Sequence, residues 1–413
     1  ADRALVNPKD VPEPALRRML AANYRLGGKK NAQALVMAAT RSDVPVSLRE
    51  ESLKWLQTWE KPSGRDVIVG LWRPMSPRPG ADVAEALRPA LASLMTGPDK
   101  IRTEGAKLAA KHGMKEIGPA LRDLVKDKKR AAGVRIEALK ALETLKDANL
   151  EMVAKAAMSD ADARVRTQGR RIVLLKAPKA EAVDALKTTL ESGAVVERQG
   201  ALHLLADLKT PEGDKLLGHW VDELVTKKAP PEISLDILLA AKSSKDPAIA
   251  KKLAAYEATR DLKNPMSVYR ESLVGGDADN GRRVFLEKSE LSCVRCHKLN
   301  GVGGEVGPDL THVAKVQKRD YLLESIVDPN KQIAKGFESV VIMTQTGLTH
   351  TGILKSEDAK SVRIMTAEGQ LLTIPKTEID ERSRGPSAMP SDLATKMSRT
   401  ELRDLVEFLS SLK

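Results

Sequence analysis

One pentapeptide constrains this chain more than any other feature. Cys293-Val294-Arg295-Cys296-His297 holds both cysteines of the 413 residues, spaced C-x-x-C and followed at once by histidine. Two thiols three positions apart can add to the two vinyl groups on one edge of a haem, and the adjacent histidine then falls under the iron. Two other readings compete. Half a zinc site would need two more ligands, yet there is no second cysteine pair, and His112, His203, His219, His312 and His350 form no close pair in sequence. A redox dithiol expects a βαβ context, whereas a Gly-rich segment follows here. Covalent haem is the favoured reading, with zinc and dithiol chemistry left behind it.

The flanking sequence is organised around that motif. Gly276 to Phe285 reads as a short helix with a polar start, and Gly281 and Phe285, four apart, share one face. Downstream, Gly301-Val302-Gly303-Gly304 is a turn segment, followed by Gly307-Pro308-Asp309-Leu310. Near the end, Ser398-Arg399-Thr400-Glu401 is a capping box, and Leu402, Leu405, Val406 and Leu409 repeat at helical spacing. Met389-Pro390 stands just ahead of it, and a thioether opposite histidine is a soft iron ligand that raises a haem potential. Seventy-eight residues separate Leu310 from Met389. They begin with a helix at Tyr321 to Ile326, ended before Asp328-Pro329. Four strand-like runs follow, at Val340–Thr344, His350–Leu354, Ser361–Met365 and Gln370–Ile374. Gly347, Glu357-Asp358 and Gly369 mark the turns. This is an antiparallel meander over about 338–376.

A helix before C-x-x-C-H, then G-P-x-L, a Met-Pro loop and a last helix resembles the class I cytochromes c. That resemblance implies thioether bonds at Cys293 and Cys296 and a proximal ligand at His297. It implies a hydrogen bond from the other imidazole N–H to the Pro308 carbonyl, Leu310 against the cofactor, and Met389 as distal ligand. Met397, Met343, Met365, His312 and His350 are the substitutes for that last role. With the β-insert included, residues 276–413 resemble the haem-binding domain best known from planctomycete and verrucomicrobial bacteria. The carrying phrases are G-D-A-D-N-G-R-R-V-F, C-V-R-C-H, V-G-P-D-L, Y-L-L-E-S-I-V-D-P-N and E-L-R-D-L-V-E-F-L. In that family the domain ends large exported proteins, often after helical repeats and a dehydrogenase-like propeller. The resemblance therefore implies one covalent haem c, a periplasmic or otherwise exported location, and a redox partner or upstream dehydrogenase-like domain. This chain would then be the C-terminal part of a larger protein.

The first two thirds read as repeats. An arginine-centred phrase recurs with Arg49, Arg102, Arg135 and Arg166 in its second position, and a weaker copy carries Glu197 there. The later copies fall 31 to 33 residues apart, each opening an amphipathic helix, which is the period of two-helix HEAT-like solenoids. A small residue three positions on (Ser52, Gly105, Ala138, Gly169, Gly200) would let helices approach. Three of the four tryptophans, Trp55, Trp59 and Trp72, surround a Pro-rich loop over 60–80. Packing of that loop onto the first repeats is favoured over a docking surface.

Residues 276–413 carry equal numbers of basic and acidic side chains, so the whole net charge of +12 lies in 1–275. There the basic residues alternate with acidic ones on amphipathic helices, so a solvated face is favoured and nucleic acid is disfavoured as a partner. No run reaches the length of a transmembrane segment. The solenoid shows no nucleophile–base phrase, phosphate loop or carboxylate pair, so the chain is more a carrier than an enzyme by itself. The expected architecture is mainly α: a HEAT-like α-solenoid over 1–275, then a class I cytochrome c-like helical domain over 276–413 with an inserted antiparallel β-meander. The expected function is electron transfer through one haem. The alternative is a HEAT-like scaffold or adaptor whose haem is a structural or sensing element.

Overall fold

The computed structural model describes residues 8–288 and 290–413. The fold is predominantly helical, and it divides into two compact units, Ala1–Ala201 and Leu202–Lys413.

In the first unit the arginine phrases open the helices Val46–Gln57, Asp99–Lys111, Ala132–Thr144 and Ala163–Leu174. Each of these packs against the next, with Gly118–Lys126 and Leu150–Ala157 as alternating partners, giving a HEAT-like array. The recurring arginine ties the start of its helix to a neighbouring turn. Arg49 Nε donates to the Ala39 carbonyl at 2.8 Å, and Arg102 Nε to that of Gly97 at 2.6 Å. Arg135 pairs with Asp160, both buried. Arg166 donates to the carbonyls of Asp160 and Ala161, at 2.9 Å each, and to the Glu197 carboxylate at 2.9 and 2.8 Å. The weaker fifth copy is thus explained: its glutamate is the acceptor for the arginine of the copy before it.

The small residues sit where helices close on one another. Ser52 and Ala138 are buried. A Cβ on Gly169 would lie 2.7 Å from the Ala154 carbonyl oxygen, and one on Gly105 2.8 Å from the Met95 methyl. The long first interval contains two extra helices, Ala81–Leu87 and Leu91–Thr96. Trp55 and Trp59 are buried against Tyr24, with ring centroids 5.8 and 6.3 Å away, and the Arg78 guanidinium lies 4.4 Å from the Trp59 ring. Trp72 differs: it is 72% exposed and covers Gly64.

The second unit holds helices Pro211–Val225, Pro231–Ser243 and Pro247–Glu257 together with the C-terminal region. Asp236, fully buried, accepts from Arg403 at 2.6 Å and lies 3.0 Å from His203 Nε2. Helix Ala278–Glu287 starts at Asp277, whose carboxylate accepts from the Asn280 N–H at 3.0 Å. Helix Arg399–Ser411 starts at the Ser398/Glu401 capping box. These two helices press together at Gly281, where any Cβ would collide with the Asp404 carbonyl. Around that contact Val284, Phe285, Leu402, Leu405, Val406 and Leu409 are buried with Leu322, Leu323 and Ile326 of helix Arg319–Val327. Each such side chain contributes about 1.5–3 kcal/mol. Arg319 and Glu407 clip the last two helices together at 2.7 Å.

The insert is a five-stranded antiparallel sheet. Its order is Leu371–Pro375, Ser361–Met365, Thr349–Glu357, Ser339–Thr344, Ile379–Arg384. The first four strands are the expected meander. The fifth extends the insert beyond 376 and flanks Ser339–Thr344, making that strand interior. Its residues Ile379-Asp380-Glu381-Arg382-Ser383-Arg384 lack apolar alternation and are almost all exposed, so only the backbone ladder defines it. Val340, Ile342, Val362, Ile364 and Ile374 form the small core of the sheet. Among the described residues no helix is long and apolar enough to cross a membrane.

Candidate functional site

Cys293–Cys296 is a single helical turn entered through Ser292, which takes a left-handed conformation at φ 50°. Residues three apart on a helix lie on one face, so both thiols point the same way, and His297 N–H closes the turn on the Cys293 carbonyl at 3.0 Å. The chain then doubles back. Gly304 N–H donates to the Val294 carbonyl at 3.0 Å and Gly307 N–H to that of Cys296 at 2.7 Å. This return explains the glycines. Gly303 has φ +126°, and a Cβ there would strike the His297 carbonyl; one on Gly304 would strike the Arg295 carbonyl.

The imidazole of His297 is fixed from two sides. Its Nδ1 lies 2.9 Å from the Pro308 carbonyl oxygen, and a Cβ on Gly307 would come within 2.5 Å of its Cε1. A carbonyl only accepts, so Nδ1 carries the proton and Nε2 keeps its lone pair. No protein partner of Nε2 occurs among the described residues. Burial holds this imidazole below its ordinary range, the Pro308 carbonyl partly opposing. Burial also pushes the Cys293 thiol up to about 11. It raises the Cys296 thiol, against the pull of Arg295. The site therefore presents two neutral, unbridged thiols and a neutral imidazole.

All three side chains open on a cavity of about 810 Å³, within the range of cofactor pockets. Pro308, Leu310 and Met389 line the same cavity, so all six sequence-derived site residues come together there. Its walls are largely apolar, with Phe285, Leu291, Val306, Ile326 and Leu405 among them. Two nearby thiols, a free ring nitrogen beside them, a thioether and largely apolar walls fit a covalently held haem. Of the substitutes for Met389, His312 also lines the cavity, but its Nδ1 is 3.1 Å from the Lys413 carbonyl. Met397 is buried in the helical core, and Met343, Met365 and His350 lie on the sheet outside the cavity. Among the described residues no three His, Cys, Asp or Glu side chains are placed to hold a metal ion.

Sequence reasoning passed over part of this wall. Pro329, Ile333, Ala334 and Phe337 line the cavity from the segment between helix Arg319–Val327 and the sheet. Pro329 was read only as the end of the helix, and the other three had no signal beyond following it. Asn330 closes the phrase Y-L-L-E-S-I-V-D-P-N but carried no sign of its role, and Ser339 had no signal, because their partners in the Met389 segment lie 57 and 47 residues away.

Residues 278–363 match the family model for cytochrome c. The match contains the C-x-x-C-H turn and Pro308, and stops short of Met389. No curated protein matches the chain. Among solved structures, human deoxyhypusine hydroxylase in complex with glycerol is similar over 59% of this chain and 93% of its own, at 16% identity and a TM-score of 0.26. That superposition is too poor to carry anything from one protein to the other. The chain thus bears a C-terminal cytochrome c-like domain after its HEAT-like helical array, consistent with a single covalently bound haem c.

Proposed function

We propose that residues 276–413 form a one-electron carrier, bonded to haem c through Cys293 and Cys296 and ligated by His297 and Met389. The helical repeats of 1–275 serve as its scaffold. The observation that carries this reading is the convergence of Cys293, Cys296, His297, Pro308, Leu310 and Met389 on one cavity. Haem iron supplies reversible one-electron chemistry, and two protein ligands favour electron transfer over ligand activation. The residues divide that work. Pro308 fixes the tautomer and plane of His297, leaving Nε2 toward the cavity. Gly307 lets the backbone lie flat on the ring. The largely apolar walls would limit water at a bound haem and so keep reorganisation small when its charge changes. The soft Met389 sulfur, as a ligand, would favour the ferrous state.

The electron donor in this reading is a dehydrogenase-like domain or partner, and the location is the periplasm or another exported compartment. Both rest on the family resemblance of 276–413. Met389→Ala tests the ligation. The sulfur-to-iron charge-transfer band of the oxidised protein should vanish, and the potential should fall by on the order of 100 mV, within the range that axial ligands command. A band absent from the unmodified protein, or surviving the substitution, would remove Met389 from the iron.

A further inference from the structure

We infer that the inserted sheet is a clamp on the distal loop, with Ser339 and Asn330 as positioning residues for Met389. The inference rests on the reading of Met389 as the distal ligand and adds what holds it there. Met389 follows the fifth strand, Ile379–Arg384, by five residues, and that strand is laddered onto the adjacent strand Ser339–Thr344 from Val340↔Arg384 to Thr344↔Ile379. The clamp begins where this ladder ends. Ser339 is 2% exposed. Its carbonyl accepts from the Gly385 N–H at 2.9 Å, and its hydroxyl donates to the Pro386 carbonyl. Gly385 has no room for a side chain, because a Cβ would fall on the Ser339 hydroxyl.

The next two bonds continue toward the sulfur. Ser387 N–H donates to Asn330 Oδ1 at 2.8 Å, and Met389 N–H to the Ser387 hydroxyl oxygen at 3.2 Å. Asn330 adjoins Pro329, and both Pro329 and Ser387 line the cavity. The neighbouring strand reaches the opposite ligand's loop. Lys355 Nζ donates to the Glu305 carbonyl at 3.3 Å, two residues before Gly307, and stands 5.0 Å from the centroid of the Phe337 ring. One sheet therefore braces the segment bearing Met389 and the loop beneath His297. A short cytochrome loop would have no such brace, which gives the 78 intervening residues a purpose.

Exogenous imidazole must displace the Met389 sulfur to bind ferric iron, so its apparent affinity reports how often the sulfur is off. Holoprotein variants Asn330→Ala and Ser339→Ala should each bind imidazole about three- to tenfold more tightly, the range for one lost hydrogen bond. The double variant should gain about tenfold or more, with a weakened charge-transfer band. Asn330→Asp keeps an acceptor oxygen and should restore the unmodified affinity. A double variant that unfolds at lower temperature yet binds imidazole as the unmodified protein does would overturn the clamp, since Ser339 and Asn330 would then be structural only. Met389→Ala separates this from the ligation itself. Unchanged imidazole affinity in that variant would overturn Met389 as ligand, and the clamp with it.

Discussion

The two units use the same devices for opposite ends. In Ala1–Ala201 the close glycine contacts and buried arginines are spread along the array, each serving one helix–helix junction that resembles its neighbours. In the C-terminal region the equivalent devices converge. Gly303, Gly304 and Gly307 all press on the Cys293–His297 segment, and Gly281 brings together the two helices whose Phe285 and Leu405 wall the same cavity. In a repeat array stability is close to a sum of local terms, so a lost contact weakens one joint. Where contacts converge on one cavity, a lost contact displaces the chemistry.

The largest effect expected from breaking this contrast is at the thiols. Denatured holoprotein should keep the mass of one haem, Cys293→Ala or Cys296→Ala should keep it through one remaining bond, and the double variant should lose it altogether. Mass spectrometry under denaturing conditions decides this. Haem lost from the unmodified protein under those conditions, or zinc in its place, would remove the covalent link.

A matched pair of glycines gives the next contrast. Gly307→Ala would set a methyl 2.5 Å from His297 Cε1, and Gly169→Ala one 2.7 Å from the Ala154 carbonyl. Both overpack, at about 1–3 kcal/mol each. Only Gly307→Ala should change the haem absorption spectrum, because only there does the ring have to turn away from the Pro308 carbonyl. Thermal unfolding and the oxidised spectrum, measured on both variants, separate the two. A Gly307→Ala protein with an unshifted spectrum would mean that the imidazole is not fixed by that contact.

The same contrast explains what the sequence made legible. Features written over a few residues were readable: the C-x-x-C-H turn, the Ser398/Glu401 cap, the Gly307-Pro308 phrase, the arginine repeat and four strands with apolar alternation. Met389 was placed by its position before a capped helix, and it lines the cavity. What escaped is polar and long-range. The strand Ile379–Arg384 alternates nothing apolar, so no periodicity announces it. The Asp236 pair with Arg403 joins residues 167 apart, and each alone looks like one more surface charge. Trp72 resembled its two neighbours in composition, but unlike Trp55 and Trp59 it packs on a loop and is left exposed.

The smallest effect lies in the repeats and is seen through pH. Glu197 is 5% exposed and accepts two bonds from Arg166, two from Arg170 at 3.2 and 3.1 Å, and one from the Ala194 N–H at 3.1 Å. The Arg166 hydrogen bonds lead in holding its carboxyl down to about 2, from an ordinary 4.5, while burial pulls the other way. A depressed carboxyl favours the fold only while ionised. Its contribution is therefore complete above pH 4.5 and is lost as the pH falls toward 2. Solvent screening trims it to about 1–2 kcal/mol. Glu197→Gln should lower stability by that amount at neutral pH, with the difference from the unmodified protein shrinking as the pH falls through this window. Urea unfolding followed by helix signal at pH 7 and near pH 3 measures it, and the haem spectrum at neutral pH should not move. A spectral change there would mean that a joint of the array is coupled to the cavity, contrary to the local character of the repeats.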